Sequence, residues 1–276
     1  MIIPTFLKWA GGKRRVIDQI DPYIPREINT YFEPFLGGGS MFFYIKQKYN
    51  PKKCVLSDIN EDLIKTFKAV RDNPKKLINY LNYFKKKNSK EFFYKFRQKF
   101  NENKIKGLKR CAGFIYLNKT CFNGLWRVNS KNEFNVPYGD HKNPGIFEKE
   151  TILFASKLLK NVEILNQDYR EILNFVKKGD FIYLDPCYDP LKKTSFANYN
   201  PKRFCEEDRI EMAKFIGQLN NKKISFALSN NKISEMKYYY PLSKFDHIEI
   251  LAPRFINSQG NKRGEIIELL ITSKNI

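Results

Sequence analysis

Short apolar runs recur along the chain, and longer stretches with helical spacing separate them. Residues 31–36 form the first run, which meets three glycines, and residues 40–49 then carry apolar positions at helical spacing, with Ser40 as the predicted N-cap. A second apolar run, residues 54–58, ends on Asp58. A strand, a glycine-rich turn, a helix, a second strand and an acid, in that order, open the α/β unit that binds dinucleotides.

The same alternation returns after about residue 150. Apolar runs at 162–165 and 181–184 lead to Asp168 and Asp185, and a further run at 224–228 ends before polar residues. Strands separated by helical stretches favour a mostly parallel, Rossmann-like sheet, and such sheets bind ligands beyond the carboxyl ends of their strands. We therefore predict an α/β fold whose functional site lies where these polar strand ends meet.

The segment between the two α/β parts differs from both in pattern and in charge. Helical spacing predominates up to residue 110, and residues 121–139 have the pattern of a loose β-hairpin with a turn at 129–132. From 61 to 150, Lys and Arg exceed Asp and Glu by 12, over half of the formal net charge of +21. We therefore predict an inserted, mainly helical domain at 61–149, between two parts of one domain at 1–60 and 150–276.

The positive charge suggests a polyanionic partner, most simply nucleic acid. An AT-rich genome, whose codons favour Lys, Asn, Ile, Phe and Tyr, is the alternative explanation of the same composition. No apolar run approaches 18 residues and the N-terminal sequence lacks a signal pattern, so we expect a cytoplasmic protein without membrane contact. Five scattered cysteines without a CxxC pair, with two histidines, give little support for a zinc site, and we expect no metal.

The glycine turn is typical of a nucleoside site rather than a phosphate site. It lacks both the GxGxxG spacing and the GK[ST] sequence, and Asp58 follows about twenty residues later, where an acid usually holds a ribose hydroxyl pair. A nucleoside cofactor without a phosphate chain fits this pattern, and the alternative is a capped turn without a ligand. A second glycine-rich stretch, residues 8–13, could clamp a carboxylate, although a plain basic loop is equally consistent with it.

Residues 185–188, Asp-Pro-Cys-Tyr, carry the most specific chemistry. The lone pair of an exocyclic amine on a nucleobase is delocalised into the ring, so the amine is a poor nucleophile. An Asp carboxylate and a backbone carbonyl that accept its two N–H groups would offset the positive charge that develops on attack. Tyr188 could stack on the base, which must first leave the duplex. The alternative is an ordinary Asp-Pro turn after a strand.

Taken together, these stretches resemble the Dam-type (class alpha) DNA adenine-N6 methyltransferases. The matching stretches follow the family order: FLKWAGGK (6–13), FEPFLGGGS (32–40), LSDIN (56–60), CFNGLWRVNSKNEFNVPYG (121–139), QDY (167–169), YLDPCYDPL (183–191), LSNN (228–231) and RFINSQGNKRGEIIELLIT (254–272). The resemblance implies S-adenosylmethionine as methyl donor, adenine N6 in double-stranded DNA as acceptor, and a Rossmann-like methyltransferase fold. It also makes 61–149 the target-recognition domain and the rest of the chain the catalytic domain.

The resemblance implies a role for residues at three places. The residues that would bind the cofactor are Trp9, Ala10, Gly11, Lys13, Glu33, Phe35, Gly37, Asp58, Ile59, Asp168, Tyr169 and Asp185. Those that would hold the target adenine for catalysis are Asp185, Pro186 and Tyr188. Those that would contact DNA are Asn123, Leu125, Arg127, Asn129, Pro137 and His141, with Arg127 expected to read the guanine of a GATC site.

Two departures from the family pattern bear on activity and on target. Most relatives have Pro where this chain has Cys187, and Asp140 and His141 stand where a basic and an aromatic residue are usual. Three interpretations stay open: an active adenine-N6 enzyme, a DNA-binding homologue that has lost catalysis, and the same chemistry on RNA, on cytosine N4 or at another sequence. We expect a monomer in solution, with more than one copy able to bind along DNA.

Overall fold

The computed structural model describes residues 1–186, 206–253 and 265–274, and these residues contain a seven-stranded sheet. The strands are β1 (Thr30–Glu33), β2 (Lys53–Asp58), β3 (Glu163–Asn166), β4 (Phe181–Leu184), β5 (Ser225–Asn231), β6 (Phe245–Pro253) and β7 (Glu265–Ser273). Their order is β3-β2-β1-β4-β5-β7-β6. Strands β1 to β5 pair in parallel, and β7 is antiparallel to both β5 and β6. The predicted mostly parallel, Rossmann-like α/β fold is confirmed.

The central strands are apolar because both faces of the sheet are covered. All four residues of β4 are buried, and the interior residues of β2 and β5 are buried as well. Continuous apolar runs of this kind are typical of parallel strands between two helical layers. Strand order reverses between β1 and β4, so the crevice beyond their carboxyl ends is the expected ligand site.

Helices cover the sheet and build the segment between β2 and β3. Within the described residues the helices are α1 (Ile17–Ile20), α2 (Ser40–Lys48), α3 (Glu61–Asp72), α4 (Pro74–Lys87), α5 (Lys90–Asn101), α6 (Gly107–Thr120), α7 (Lys149–Leu159), α8 (Glu206–Asn221) and α9 (Met236–Tyr239). The prediction of Ser40 as an N-cap is wrong. Gly39, in the left-handed region, holds that position, and Ser40 is the first helical residue. Asn60 caps α3 by accepting from the Leu63 N–H at 3.0 Å.

Helices α4, α5 and α6 pack through an aromatic cluster. The ring of Phe84 lies 4.8 Å from that of Phe96 and 5.1 Å from that of Tyr116, and all three side chains are buried. The apolar positions of α4 and α5 lie on one face, so their lysines point outward. This core is continuous with the core beneath the sheet. The division of the chain into a catalytic and a recognition domain stays a prediction.

Residues 121–139 form a hairpin that is less regular than a ladder of two strands. Isolated bridges join Cys121 to Tyr138 and Val128 to Phe134, and residues 122–124 form a short 3-10 turn where a strand-like arm was predicted. The turn at 129–132 is present, with the Asn132 N–H donating to the Asn129 carbonyl at 2.9 Å. The predicted turn is therefore confirmed, and the strand-like arms are confirmed only in part.

Strand β6 was not predicted from the sequence. Its segment mixes charged and apolar residues because it lies at the edge of the sheet, beyond β7. The Gln19 side chain covers part of this edge, where it donates to the Leu251 carbonyl and accepts from the Leu251 N–H, both at 2.9 Å. In the described part of the chain, no helix is both long enough and apolar enough to cross a membrane.

Candidate functional site

The carboxyl edge of the sheet brings together acids from three neighbouring strands. Glu33 ends β1, Asp58 ends β2, and Asp185 directly follows β4. Because β1 lies between β2 and β4, the three carboxyl groups flank the reversal in strand order. The sequence therefore correctly predicted that these strand ends meet, and the crevice at this edge is the candidate site.

Asp58 fixes the glycine turn that follows β1. Its Oδ2 accepts from the Gly37 N–H at 3.1 Å, and its Oδ1 accepts from the Asn60 N–H at 2.9 Å. The Asn166 amide donates to the carbonyls of Asp58 and Ile59 at 2.9 and 3.0 Å. The Ile59 side chain is exposed. Burial raises the pKa of Asp58 to about 6, although the backbone N–H donors oppose the shift.

Trp9 packs against the glycine turn, and this contact explains why position 37 is a glycine. Gly37 has a φ of 48°, and a Cβ there would lie 2.7 Å from Trp9 Cδ1 and 2.9 Å from Trp9 Nε1. Both the backbone conformation and the contact therefore require glycine. The buried ring of Phe114 in α6 stacks on Trp9, with the ring centroids 6.4 Å apart. The two glycine-rich stretches found in the sequence thus form one surface.

An aromatic wall stands beside this turn. The rings of Phe35 and Tyr169 lie 5.2 Å apart, and Tyr169 contacts Phe215 of α8 at 5.0 Å. Asp168 is held by Arg170, whose Nε donates to Oδ1 at 2.7 Å. Burial alone would raise the pKa of Asp168, but the hydrogen bonds from Arg170 hold it below its usual value. The Gln167 amide nitrogen is buried and has no hydrogen-bond partner among the described residues.

Lys13 occupies the centre of the crevice. It is 3% exposed, and its Nζ donates to the Gly11 carbonyl at 2.8 Å and to Asp185 Oδ1 and Oδ2 at 2.7 and 2.9 Å. A buried ammonium is stable only with partners of this kind. The structure thus brings residues of the N-terminal stretch, Lys13 with Gly11 and the adjoining Ala10, next to Asp185 and the buried Pro186.

Glu33 lies deeper and keeps its proton more readily than an ordinary acid. It is 3% exposed and accepts from the Tyr31 hydroxyl at 2.7 Å. Burial raises its pKa to about 8, and the nearby Asp185 contributes to the shift. The raised pKa of Glu33 favours its neutral form, and the carboxyl group that pairs with Lys13 is that of Asp185.

Glu268 of β7 is a residue of this cluster that the sequence interpretation did not select. Its Oε2 lies 3.7 Å from Lys13 Nζ. Burial raises the pKa of Glu268, against the effect of Lys13. The signal was available, because Glu268 is an acid between apolar pairs in a strand whose pattern is otherwise that of a core strand.

The hairpin presents polar residues on a second surface. Arg127 is half-buried and its Nε donates to Asn135 Oδ1 at 2.8 Å. The Asn129 side chain organises the turn, accepting from the N–H groups of Lys131 and Glu133 at 3.0 and 2.9 Å. The remaining predicted DNA contacts are the exposed Asn123, with a φ of 54°, the half-buried Leu125, and the exposed Pro137 and His141.

Asn118 of α6 joins the hairpin to the N-terminal stretch. Its Oδ1 accepts from the Lys8 N–H at 2.8 Å, and its Nδ2 donates to the carbonyls of Lys8 and Gly124 at 2.8 and 3.0 Å. Gly124 has a φ of 66°, and a Cβ there would lie 2.3 Å from Lys8 Cδ. The exposed Lys8 side chain therefore lies over the hairpin, which no sequence pattern indicated.

Lys119, the neighbour of Asn118, adds a positive charge to this surface. Burial lowers its pKa to about 8, and the nearby Lys8 lowers it further while Glu148 opposes the effect. Lys119 therefore begins to lose its charge at a lower pH than a surface lysine does. Tyr188, the third residue of the catalytic prediction, and Cys187, which stands where most relatives have Pro, lie outside the described residues.

The residues at this edge fit a nucleoside cofactor. Asp58 offers a carboxylate beside bare backbone, Phe35 and Tyr169 offer aromatic faces, and Ile59 offers an exposed apolar side chain. The orphaned amide of Gln167 is a further donor near the aromatic wall. Among the described residues, no group of three or more His, Cys, Asp or Glu side chains could hold a metal ion.

Comparison with known proteins gives matches along nearly the whole chain. A model of the D12 class N6 adenine-specific DNA methyltransferases matches residues 9–253. The chain is 44% identical to the Type II methyltransferase M.MjaIII of Methanocaldococcus jannaschii, over 98% of this chain and 99% of that protein. It is 37% identical to the Type II methyltransferase M1.LlaDCHI of Lactococcus lactis subsp. cremoris, over 97% and 94% of the two chains. It is 34% identical to the DNA adenine methylase of Haemophilus influenzae, over 96% and 92%.

Proposed function

The chain belongs to the D12 class N6 adenine-specific DNA methyltransferases, and from this premise we propose that it methylates adenine N6 at a GATC site in duplex DNA after rotating the base out of the helix. The observation that carries the proposal is the crevice in which Asp185 and Lys13 lie beside the glycine turn that Asp58 holds. One edge of the sheet thereby offers both a cofactor surface and a carboxylate suited to an amine.

S-adenosylmethionine is the proposed methyl donor, and it supplies a methyl group on a sulfonium sulfur that an amine attacks directly. Asp58 would accept hydrogen bonds from the ribose hydroxyls, which an ionised carboxylate does best. Phe35 and Tyr169 would enclose the cofactor's base, with Asp168 at its edge. Trp9 and Lys13 would meet its amino-acid end. No negative phosphate has to be neutralised, in keeping with a turn that carries no lysine.

Asp185 is the proposed acceptor for one N–H of the target amine. Two features support this role: Asp185 follows a buried strand that holds it in place, and it forms an ion pair with Lys13 at 2.7 Å. The Pro186 carbonyl would accept the second N–H, and the rigid ring of Pro186 stiffens the turn. Tyr188 would stack on the extruded base. Together these groups would offset the positive charge that grows on N6 during attack.

The proposed target sequence is inferred from residues of the hairpin at 121–139. Arg127 carries a planar fork of donors that matches guanine O6 and N7, and Asn135 holds its Nε so that the fork points in a fixed direction. Leu125 and Pro137 would contact neighbouring bases, and Asn123 lies at the exposed tip of the short turn. Residues 61–149 are accordingly the proposed recognition domain, and double-stranded DNA is the proposed partner.

The direct test of the chemistry is Asp185→Ala. Loss of the carboxylate removes the acceptor for N6–H, so we expect methyl transfer to fall by at least about 100-fold, the scale of losing a preorganised charge-stabilising group. Binding of S-adenosylhomocysteine is expected to survive, because Asp58, Phe35 and Tyr169 remain in place even though Asp185 itself is among the residues expected to contact the cofactor. The measurement is incorporation of labelled methyl groups into unmethylated DNA, with cofactor binding followed separately by calorimetry.

Asp246→Ala is the matched control, because Asp246 is an exposed acid on β6, away from the crevice. We expect it to transfer methyl groups at the wild-type rate. Normal turnover by Asp185→Ala would contradict the assignment of Asp185. Label found on cytosine rather than adenine would contradict the proposed acceptor.

A further inference from the structure

Glu268 is an acid in an apolar strand, and the proposed function gives it no task. β7 lies between β5 and β6, and Glu268 is in register with Asn231 at the carboxyl end of β5. The next two residues, Leu269 and Leu270, are buried. The Glu268 side chain is only 12% exposed. A carboxyl group is costly in such a place unless it is paired.

Lys13 forms an ion pair with Glu268, but its hydrogen bonds go to other acceptors. Its Nζ lies 3.7 Å from Glu268 Oε2, which is beyond hydrogen-bond length. Its hydrogen bonds include those to the Gly11 carbonyl and to both oxygens of Asp185. Glu268 is thus a second carboxylate within reach of the same cation.

The contact between Lys13 and Asp185 opposes the role proposed for Asp185, which is to accept an N–H group of the target amine. To orient an amine and offset its developing charge, the carboxylate must direct its own charge at N6. An ammonium group 2.7 Å away neutralises that charge and occupies a lone pair on each oxygen. Removing Lys13 altogether would strand a buried charge, so the cation needs another acceptor nearby.

We propose that Glu268 is a positioning residue that takes over Lys13 when the target adenine reaches Asp185. A movement of Lys13 Nζ by about 1 Å toward Glu268 would bring this pair to hydrogen-bond length. The same movement would lengthen the contacts with Asp185, whose oxygens then face the amine. The step is an exchange of hydrogen-bond partners, with no bond made or broken in the protein. It rests on the proposed role of Asp185 in adenine methylation.

Among the ionisable groups that the structure describes around this pair, Glu268 is the suited acceptor, because its Oε2 lies 3.7 Å from Lys13 Nζ. Glu33 on β1 is already engaged, because it accepts from the Tyr31 hydroxyl at 2.7 Å, and burial raises its pKa to about 8. Tyr183 on β4 shares a hydrogen bond with Ser229 at 2.8 Å, and burial raises its pKa well above the usual value. Burial raises the pKa of Glu268, and closer approach of Lys13 favours its charged form.

The test is Glu268→Gln, which keeps the size of the side chain but removes the charge that would receive Lys13. We expect kcat for adenine methylation to fall about 10-fold to 100-fold, while KM for DNA and the Kd of S-adenosylhomocysteine stay within about threefold. Glu268→Asp, which keeps the charge, is expected to retain most of kcat. Glu268→Leu carries the same expectation as Glu268→Gln and replaces it if the amide does not fold.

Glu249→Gln is the matched control, because Glu249 pairs with Lys232 on the exposed edge strand and lies outside the crevice. Its kcat should equal that of the wild type. A double-mutant cycle adds a second readout: once Lys13→Met has removed the cation, Glu268→Gln should cause no further loss at saturating S-adenosylmethionine.

Two results would overturn the inference alone. One is an unchanged kcat in Glu268→Gln with weakened cofactor binding or lower stability, as expected of a mere counter-charge. The other is strictly additive losses in the cycle with Lys13→Met. A wild-type protein that methylates no adenine would overturn the proposed function, and the inference with it.

Discussion

The Asp58 carboxylate fixes the glycine turn after β1 and, in the proposed function, also binds the cofactor. It accepts N–H groups from both sides of the crevice, from Gly37 in the turn after β1 and from Asn60 before α3. Its remaining lone pairs are available to ribose hydroxyls. Because its pKa is raised to about 6, its charge changes within the range in which the protein can be studied.

The charge of Asp58 predicts how cofactor binding depends on pH. Ionised Asp58 is the better acceptor, so affinity for S-adenosylhomocysteine should be present above pH 6 and be lost as the pH falls through about 6. Asp58→Asn should bind about 10-fold to 100-fold more weakly, the value of hydrogen bonds to a charged group. The amide variant should also lose the pH dependence. Calorimetric titration from about pH 5 to about pH 8, on either side of this pKa, measures both effects.

Asp72→Asn is the control for this titration, because Asp72 is half-exposed and pairs with Arg71 on the outside of α3. Its binding curve should follow that of the wild type at every pH. Wild-type affinity that stays constant across the titration would show that the charge of Asp58 does not contribute to binding.

At the residue scale, the sequence predicted the positions that local spacing specifies. Asp58 was found from its distance to the glycine turn, and Asp185 from its place after an apolar run. The roles of Glu268 and Lys8 were not predicted, although an acid within the apolar run of β7 is itself visible in the sequence. Each acts through a partner more than 100 residues away, Lys13 for Glu268 and Asn118 for Lys8, and no local pattern records such a pair.

At the scale of elements, helix α5 supports the hairpin at 121–139 in addition to the hairpin's own backbone hydrogen bonds. Asn101 donates to the Phe134 carbonyl and accepts from the Phe134 N–H, both at 3.0 Å. Arg97 donates to the Val136 carbonyl at 2.9 Å. Trp126 stacks on Phe134 at 4.5 Å. The hydrogen bonds span 33 to 39 residues, so the sequence predicted the turn but could not predict its support.

Asn101→Ala should loosen the hairpin without disturbing the cofactor crevice. The two backbone groups of Phe134 lose their partner, which should destabilise the protein by about 1–3 kcal/mol if they stay out of water. We expect a higher KM for DNA and more methylation at sites that differ by one base pair. The Kd of S-adenosylhomocysteine should not change. Thermal unfolding and steady-state kinetics on matched and mismatched duplexes measure these effects.

Gln98→Ala provides the comparison on the same helix, because Gln98 is exposed and its amide donates to Glu102 Oε1 at the end of that helix. Its discrimination between duplexes should be that of the wild type. Equal discrimination by Asn101→Ala would mean that Trp126 and Arg97 position the hairpin without Asn101.

At the scale of the whole molecule, excess positive charge is concentrated in the segment that carries the hairpin. The lysines at 85–87 end α4, and the next residue, Asn88, bonds the Tyr138 hydroxyl at 3.2 Å. This hydrogen bond places the end of α4 beside the base of the hairpin. In the proposed function, the exposed lysines there would contact phosphates next to the bases that the hairpin contacts.

Replacement of the three lysines at 85–87 by Gln should weaken DNA binding without changing which sequence is methylated. The slope of log K against log salt should decrease in magnitude by about 0.9 for every phosphate that a removed lysine had neutralised. We therefore expect a slope smaller by about 1 to 3, measured by fluorescence anisotropy at several salt concentrations. The positions of the methylated bases should be those of the wild type.

A triple variant at Lys177, Lys178 and Lys223 removes the same charge at the opposite edge of the sheet, before β4 and β5 begin. It should leave the salt slope close to that of the wild type. Equal effects of the two triple variants would mean that net charge alone, rather than the placement of lysines beside the hairpin, governs DNA binding.

The central claim is that this crevice and this hairpin together methylate adenine N6 at GATC. The most direct measurement is a map of modified bases across a methylation-free genome in which the wild-type protein is expressed, with Asp185→Ala expressed in parallel. We predict N6-methyladenine at GATC throughout the wild-type genome and none with the variant. N4-methylcytosine, adenine methylation at an unrelated sequence, or full methylation by Asp185→Ala would contradict the account.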